Sequence, residues 1–449
     1  MFKRILIANR GEIALRVIRA CRQMGIESVA VYSEADADSP HLEQADHSVC
    51  IGGSKSEQSY LNMTAMLQAA EQTECKAIHP GYGFMAENAL FAQMCHQLKF
   101  TFIGPSPRVI RLMGDKATAR RTMVAAGVPV VPGTQDVIGD PARALETARS
   151  IGFPVLLKAT AGGGGKGMRV CRDADSFEQS FREASFEALK AFGNAGLYLE
   201  KYIEGGRHIE FQFMADAFGH AVHMGERECS VQRNHQKLVE ESPSPVVDAA
   251  LREKMGAIVT RAVTAIGYVG AGTMEFLRDH EGNLYFMEVN TRLQVEHPVT
   301  EMVTGFDLVQ EQIQVAANSS LSMSQEQVVL DGHAIEVRVN AEDPFQGFRP
   351  SPGTVTVFDP PREAKGVTVR VDTHVRPGYR IPPYYDSMIC KLIVHGPDRE
   401  TARIGMLDAL DRFKVDGIKT TIDVHKKILA DEAFARGDYD TGFIARLLG

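Results

Sequence analysis

A chain of 449 residues is about three times a typical domain of ~150 residues, so two to four cooperating domains are expected and a peptide or disulfide mini-protein is excluded. Hydrophobic residues at 44%, charged residues at 24%, 40 Gly and 20 Pro are globular values and exclude disordered, collagen-like and coiled-coil chains. With 49 Lys and Arg against 57 Asp and Glu the formal net charge is -8, the wrong sign for a nucleic-acid protein, so any bound anion must be caught by a local site.

The opening MFKRILIANRGE has four apolar residues from Ile5 to Ala8 before Asn9 and Arg10 interrupt, too few for a signal-peptide core. No apolar run approaches the ~18 residues of a membrane span. The seven cysteines lie at least twenty residues apart, which excludes CxxC pairs and favours reduced thiols in a cytoplasmic protein. Strand RILIAN, helix GEIALRVIRACRQMG and strand SVAVYSE begin an alternation continued by KAIHPGYGF, AENALFAQMCHQLK and FTFIGP. Such alternation implies a parallel sheet covered by helices, here an N-terminal α/β domain over 1–113. After the first strand comes Asn9-Arg10-Gly11-Glu12 and not GxGxxG, so a nicotinamide site is not supported.

From Met113 the texture changes to a helical DKATARRTMVAAG, a Pro-rich VPVVPG, a helix near 141–151 and a strand over 153–158 that runs into a glycine block. A second domain of mixed α+β character is expected over 114–330, with a mobile lid subdomain near 131–203. Its later parts are the strand-like LYLEKYI and HIEFQFMAD, a helix over 249–266, and the runs GTMEFLRD and NLYFMEVN. The remainder, 331–449, carries strand-like runs broken by SPG, DPP and IPP, then a helix at 399–413. It reads as a C-terminal α+β domain.

Three motifs are candidates for chemistry. In Ala161-Gly162-Gly163-Gly164-Gly165-Lys166-Gly167-Met168 consecutive glycines let backbone N–H groups converge on an anion. The block fails the GxxxxGK[ST] template because Gly167 follows Lys166. Strands on both sides favour a hairpin lid over phosphates, with Lys158 as a point charge; a flexible linker is the alternative. Second, GTMEFL and LYFMEVN flank DHEGN; if they form a hairpin, Glu275 falls opposite Glu288. Facing carboxylates become sensible around a divalent cation, with Asn290 as a third hard oxygen ligand, and such a set favours magnesium or manganese. A solvated polar face is the competing explanation. From Glu288 to Glu296 every ionisable or amide side chain has an even number. If the segment stays extended, Glu288, Asn290, Arg292, Gln294 and Glu296 line one side, a cation site followed by an anion site with a base beside it. An amphipathic edge strand explains the alternation alone. Third, in ERECSVQRNHQK Gln232, His235 and Lys237 can reach ribose hydroxyls, phosphates or a small oxyanion, although a surface loop has the same composition.

These residues resemble the biotin-dependent carboxylases in their biotin carboxylase component, within the ATP-grasp superfamily. The likeness runs over essentially the whole chain: IANRGEIA, HPGYGF, MGDK, KATAGGGGKGM, RHIEFQ, ERECSVQRNHQK, MEVNTRLQVEHPVTE, EVRVNAED and YYDSMI occur in that order. The resemblance implies an ATP-grasp fold and ATP-dependent carboxylation of biotin, using bicarbonate through carboxyphosphate. It implies that Lys116 and Lys158 contact ATP phosphates, that Gly164 and Gly165 close on them, and that Glu200, Lys201, Tyr202 and Ile203 frame the adenine. His208, Gln232 and His235 would complete the nucleotide site. Glu275, Glu288 and Asn290 would hold two Mg²⁺ or Mn²⁺ ions. Bicarbonate would rest on Lys237, Arg292, Gln294 and the Val295 backbone, with Glu296 as the base. Arg338 would stabilise the biotin oxyanion, and Tyr82 and Gly83 would border the biotin pocket.

Two positions depart from the family pattern, Asn234 where arginine is common and Arg349 before the Pro350-Ser351-Pro352-Gly353 turn. The polar stretch 360–366 also differs, and it lies where a homodimer contact is often built. No Met-Lys-Met biotin-attachment site occurs, which implies biotin carried by a separate biotin carboxyl carrier protein, with carboxyltransferase subunits as further partners. The expected final acceptor is acetyl-CoA, with pyruvate or another acyl-CoA as the alternative.

Overall fold

The computed structural model describes residues 1–134, 137–159, 168–192, 195–234 and 236–449. The expected glycine lid, including Gly164 and Gly165, and the candidate His235 lie outside the described residues. In the N-terminal segment the sheet order is His47–Cys50, Glu27–Tyr32, Arg4–Ile7, Ala77–His79, Thr101–Phe102, all parallel. Arg4–Ile7 is a central strand buried on both faces. Ile5 and Ile7 enter one hydrophobic cluster while Leu6 and Ala8 enter another, because successive side chains point to opposite faces. Helices Met63–Gln72, Ala89–Gln97 and Pro107–Gly114 each start at a side-chain cap, on Asn62, Asn88 and Ser106, which satisfies an otherwise orphaned amide.

The chain divides into two compact units, one of Met1–Ala119, Arg207–Glu275 and Glu288–Gly449, the other of Arg120–Gly206 and Phe276–Met287. An eight-stranded sheet runs in the order Leu284–Asn290, Gly270–Arg278, Arg207–Ala215, Ala221–Arg233, Gln236–Ser242, His333–Asn340, Met388–Gly396, Thr368–Thr373. Register separates its two faces. Glu240 pairs with Glu336, and Arg338 with Lys391, which pairs in turn with Asp372. These charges share one face, where helix His297–Thr304 packs through Val299 and Val303 on Ala334 and Ile393. Val239, Val337 and Leu392 point the other way, into a core shared with Ala402, Met406 and Leu410 of helix Arg399–Arg412.

The second unit has a three-stranded sheet ordered Met168–Cys171, Val155–Ala159, Leu197–Lys201. Its core joins Ala144 and Ala148 of helix Pro141–Ile151, and Phe177 and Phe181 of helix Phe177–Phe192, to Val155, Leu157, Leu197 and Leu199. Asp140 caps the first of these helices.

One expectation is modified. Extended structure does not continue to Glu296: the strand stops at Asn290, and helix His297–Thr304 begins with Pro298 in its first turn, a position that suits the fixed φ of proline. Residues 291–296 form a turn between the two. Asn234 follows strand Ala221–Arg233 in a hairpin closed by the Arg233–Gln236 pair, with φ at +49°. Asparagine tolerates that left-handed backbone better than arginine. The exposed Arg349 stands opposite Asp343 on a two-residue ladder, where unlike charges attract. Among the described residues no helix is long and apolar enough to cross a membrane.

Candidate active site

Glu296 occupies the N-cap position of helix His297–Thr304 and is 1% exposed. Lys237, near the start of strand Gln236–Ser242, brings Nζ to 2.5 Å from Glu296 Oε1. The same ammonium lies 2.6 Å from Glu210 Oε2 and 3.4 Å from Glu275 Oε1. Arg338 approaches Glu296 from another strand, its Nη2 2.9 Å from Oε2, while its Nε donates to Glu240 Oε1 at 2.6 Å. Burial works against the Glu296 charge, but Lys237, Arg338 and Arg227 hold its carboxyl well below the usual carboxylate range. It is therefore an ionised group with two directly bonded cationic partners.

Alternation along Arg207–Ala215 places His208, Glu210 and Gln212 on one face. Arg227 is opposite Glu210 in the ladder. Its Nε donates to Glu210 at 2.5 Å, and its other nitrogens donate to Gln212, Thr273 and Thr300. A guanidinium with no exposed surface and four protein partners supports its neighbours instead of a ligand.

Glu275 forms the second focus. His208 Nε2 lies 3.1 Å from its Oε2, and Asn290 Nδ2 and Gln294 Nε2 approach its Oε1 at 2.8 and 3.3 Å. Burial opposes ionisation here too, yet Lys237 and His208 keep the Glu275 pKa low. Burial likewise works against the imidazolium, and Glu275 raises the His208 pKa. Ligand atoms of His208, Glu210 and Glu275 all lie within 4.8 Å of one another. Carboxylates with the Asn290 amide are a hard donor set that fits Mg²⁺ or Mn²⁺ better than zinc. Glu288, two residues before Asn290, is half-exposed, and Lys116 Nζ lies 3.5 Å from its Oε2. Both partners of that pair reach solvent.

The turn 291–296 gathers the anion-binding candidates. Arg292 Nη1 donates to Gln294 Oε1 at 2.8 Å, its Nη2 to Asn290 Oδ1 at 3.2 Å and its Nε to Glu87 Oε2 at 2.9 Å. Glu87 also accepts from the Thr291 amide at 3.0 Å. Gln232 stands opposite Lys237 in the neighbouring ladder. The structure thus brings His208, Lys237, Glu275, Asn290, Arg292, Gln294, Glu296 and Arg338 into one network. Tyr82 and Gly83 lie on the loop after Ala77–His79. Asn9 Nδ2 fixes that loop by donating to the carbonyls of Pro80 and Tyr82 at 2.7 Å each, and the Tyr82 hydroxyl donates to Glu12.

Within the second unit, Lys158 is ion-paired with Glu200, whose other oxygen lies 3.4 Å from Arg120 Nη1. Lys201 Nζ donates to the carbonyls of Gly152 and Phe153 at 2.9 and 3.0 Å. Its ammonium is committed to the fold, as are the amides of Lys201 and Tyr202, which donate to the carbonyls of Pro132 and Pro154 at 2.8 and 3.0 Å.

Sequence reasoning missed Glu87, Glu210, Arg227 and Glu240. Only Glu210 had a local signal, its two-residue offset from His208 on a strand.

Comparison with known proteins is decisive. Residues 1–110 match the model described as biotin carboxylase, N-terminal domain; 115–324 the carbamoyl-phosphate synthase L chain, ATP binding domain; and 336–446 the biotin carboxylase C-terminal domain. A biotin carboxylase of Nostoc sp. is 54% identical over 446 residues, 99% of each chain. The chain belongs to the biotin carboxylase family. A second relative, a pyruvate carboxylase subunit of Methanothermobacter thermautotrophicus, is 50% identical over 99% of this chain and 90% of its own length. The biotin carboxylase domain dimer of Hydrogenobacter thermophilus 2-oxoglutarate carboxylase, solved with MgADP, ADP and bicarbonate, superposes with a TM-score of 0.90 at 48% identity, over 99% of this chain and 98% of that one. The fold is the ATP-grasp biotin carboxylase fold, with a parallel α/β N-terminal part and a mixed α+β C-terminal part, and the enzyme is an ATP-dependent carboxylase of the ligase class.

Proposed function

We propose that this biotin carboxylase uses ATP, Mg²⁺ or Mn²⁺ and bicarbonate to carboxylate biotin presented on a separate carrier protein, in the first half-reaction of an acetyl-CoA carboxylase. The observation that carries the proposal is the placement of Glu296 between Lys237 and Arg338, 2.5 and 2.9 Å away. A carboxylate held so low is a weak base until its cations turn to another anion. Bicarbonate on Lys237, Arg292, Gln294 and the Val295 amide would draw Lys237 from Glu296, raise its proton affinity and so switch on the base.

Glu296 then takes the bicarbonate proton, and the bicarbonate oxygen attacks the γ-phosphorus of ATP as the bond to ADP breaks. Carboxyphosphate separates into CO₂ and phosphate, the phosphate accepts the N1 proton of biotin, and N1 bonds to CO₂. Arg338 holds the ureido oxygen while negative charge develops on it. Metal bound by Glu275, Glu288 and Asn290 would neutralise phosphate charge. Lys116, Lys158, Gly164 and Gly165 would hold the phosphates, Glu200 to Ile203 with His208, Gln232 and His235 the rest of the nucleotide, and Tyr82 and Gly83 the biotin ring. The functional division is into 1–113, 114–330 and 331–449, acting in a homodimer with carrier and carboxyltransferase partners.

ATP hydrolysis measured with magnesium and bicarbonate, with and without free biotin, tests this proposal; a folded sample without biotin stimulation would count against it. The similarity to a protein of pyruvate carboxylase favours pyruvate as a second acceptor. Co-purification with the carboxyltransferase, followed by assays with acetyl-CoA and pyruvate, distinguishes the two.

A further inference from the structure

One buried ion-pair chain is not consumed by the chemistry above. Lys391, with 0% exposure, lies on strand Met388–Gly396 between Arg338 and Asp372 of the adjoining strands. Its Nζ donates to the Val295 carbonyl at 2.9 Å and lies 3.2 Å from Glu12 Oε1 and 3.9 Å from Asp372 Oδ2. Arg370 holds Asp372 through two hydrogen bonds. Glu12 Oε1 also accepts from the Tyr82 hydroxyl, and the Lys391 ammonium is 6.0 Å from the centre of the Tyr82 ring.

Burying an ammonium is costly before pairing, and an aliphatic side chain would pack the same strand. What the cation supplies is a fixed point for irregular backbone. Residues 291–296 have no ladder to hold them. Their anchors are Glu87 at Thr291 and Arg292, His297 Nδ1 at the Gln294 carbonyl, 2.8 Å away, and Lys391 at the Val295 carbonyl. The Val295 carbonyl belongs to the peptide that leads into Glu296, so its orientation sets the approach of Glu296 and the direction of the preceding amide.

We propose that Lys391 is a positioning residue, and that the chain Tyr82–Glu12–Lys391–Val295 is a strut tying the loop at the biotin side to the turn that holds bicarbonate. This rests on the proposal that the turn binds bicarbonate and that Tyr82 borders biotin. Losing Lys391 frees one end of the strut while Glu12 keeps Tyr82; altering Glu12 loosens both ends.

Steady-state kinetics of full-length Lys391→Met, Glu12→Gln and Gln294→Ala test the strut. Lys391→Met is expected to raise KM for bicarbonate about tenfold, as fits loss of one charge-assisted hydrogen bond, with KM for ATP within about twofold. The isosteric Glu12→Gln is expected to raise KM for both bicarbonate and free biotin about threefold. Should Lys391→Met not fold, Glu12→Gln decides the matter. An unchanged KM for bicarbonate in the deciding variant, with kcat alone lowered, overturns the strut. Gln294→Ala separates the two levels: if it raises KM for bicarbonate and the strut variants do not, only the strut falls. If it also leaves KM unchanged, the bicarbonate assignment falls and the strut with it.

Discussion

Glu240 and Glu336 stand directly opposite each other on neighbouring strands, both with no exposed surface. Arg338 satisfies Oε1 of Glu240, while Oε2 of Glu240 and both oxygens of Glu336 have no hydrogen-bond partner among the described residues. Cross-strand Cβ atoms lie about 5 Å apart, so two charges here would repel without screening. Burial pushes Glu240 up to about 7 and Glu336 well above the ordinary carboxylate value.

Glu336 therefore keeps its proton in the folded protein where the unfolded chain has lost it. The unfolded state binds fewer protons above pH 4.5, the ordinary value, and Glu336 costs stability increasingly as pH rises through that window. Glu336→Gln is expected to gain on the natural protein as pH rises above about 4.5, by up to about 1.4 kcal/mol per pH unit. Thermal unfolding of both proteins across that range measures the gap, and a constant gap would show Glu336 ionised in both states.

Replacing Glu296 by Gln removes the base while keeping its shape and leaves Lys237 with Glu210 and Arg338 with Glu240. We expect kcat for biotin carboxylation to fall about 10²- to 10⁴-fold, the usual contribution of a general base. Nucleotide affinity, followed by calorimetric titration with MgADP, should change less than about threefold, since residues proposed for the nucleotide are untouched. Retained turnover would exclude Glu296 as the base.

Glu275 gives a separate handle on the metal. Its carboxylate is shared among His208, Lys237, Asn290 and Gln294, and Glu275→Gln keeps the volume but removes the charge that a hard cation needs. The Mn²⁺ concentration giving half-maximal ATPase activity is expected to rise at least about tenfold, and Glu288→Gln to act in the same direction. An unaltered metal titration in both variants would place the ion elsewhere.

The legible part of the fold was the part whose pattern has one cause. RILIAN reads as a doubly buried strand because both of its faces meet hydrophobic clusters. HAIEVRVN alternates as a half-exposed strand does, yet it is buried, since its charges meet Glu240, Lys391 and Glu296 beneath helix His297–Thr304. Even numbering picked out Asn290, Arg292, Gln294 and Glu296 as companions, although the chain leaves the strand at Asn290 and a turn brings the last three together. Glu87, Arg227 and Glu240 were illegible because their meaning comes from partners as far as 205 residues away.

The cations proposed to gather anions already own counter-charges within the protein: Lys237 has Glu210 and Glu296, Arg292 has Glu87, and Arg338 has Glu240 and Glu296. A cluster so balanced casts little electric field into solution, and an arriving anion exchanges places with a carboxylate instead of being drawn in from afar. Encounter with bicarbonate should then depend only weakly on ionic strength. Selectivity would reside in which anion can take over the local hydrogen bonds.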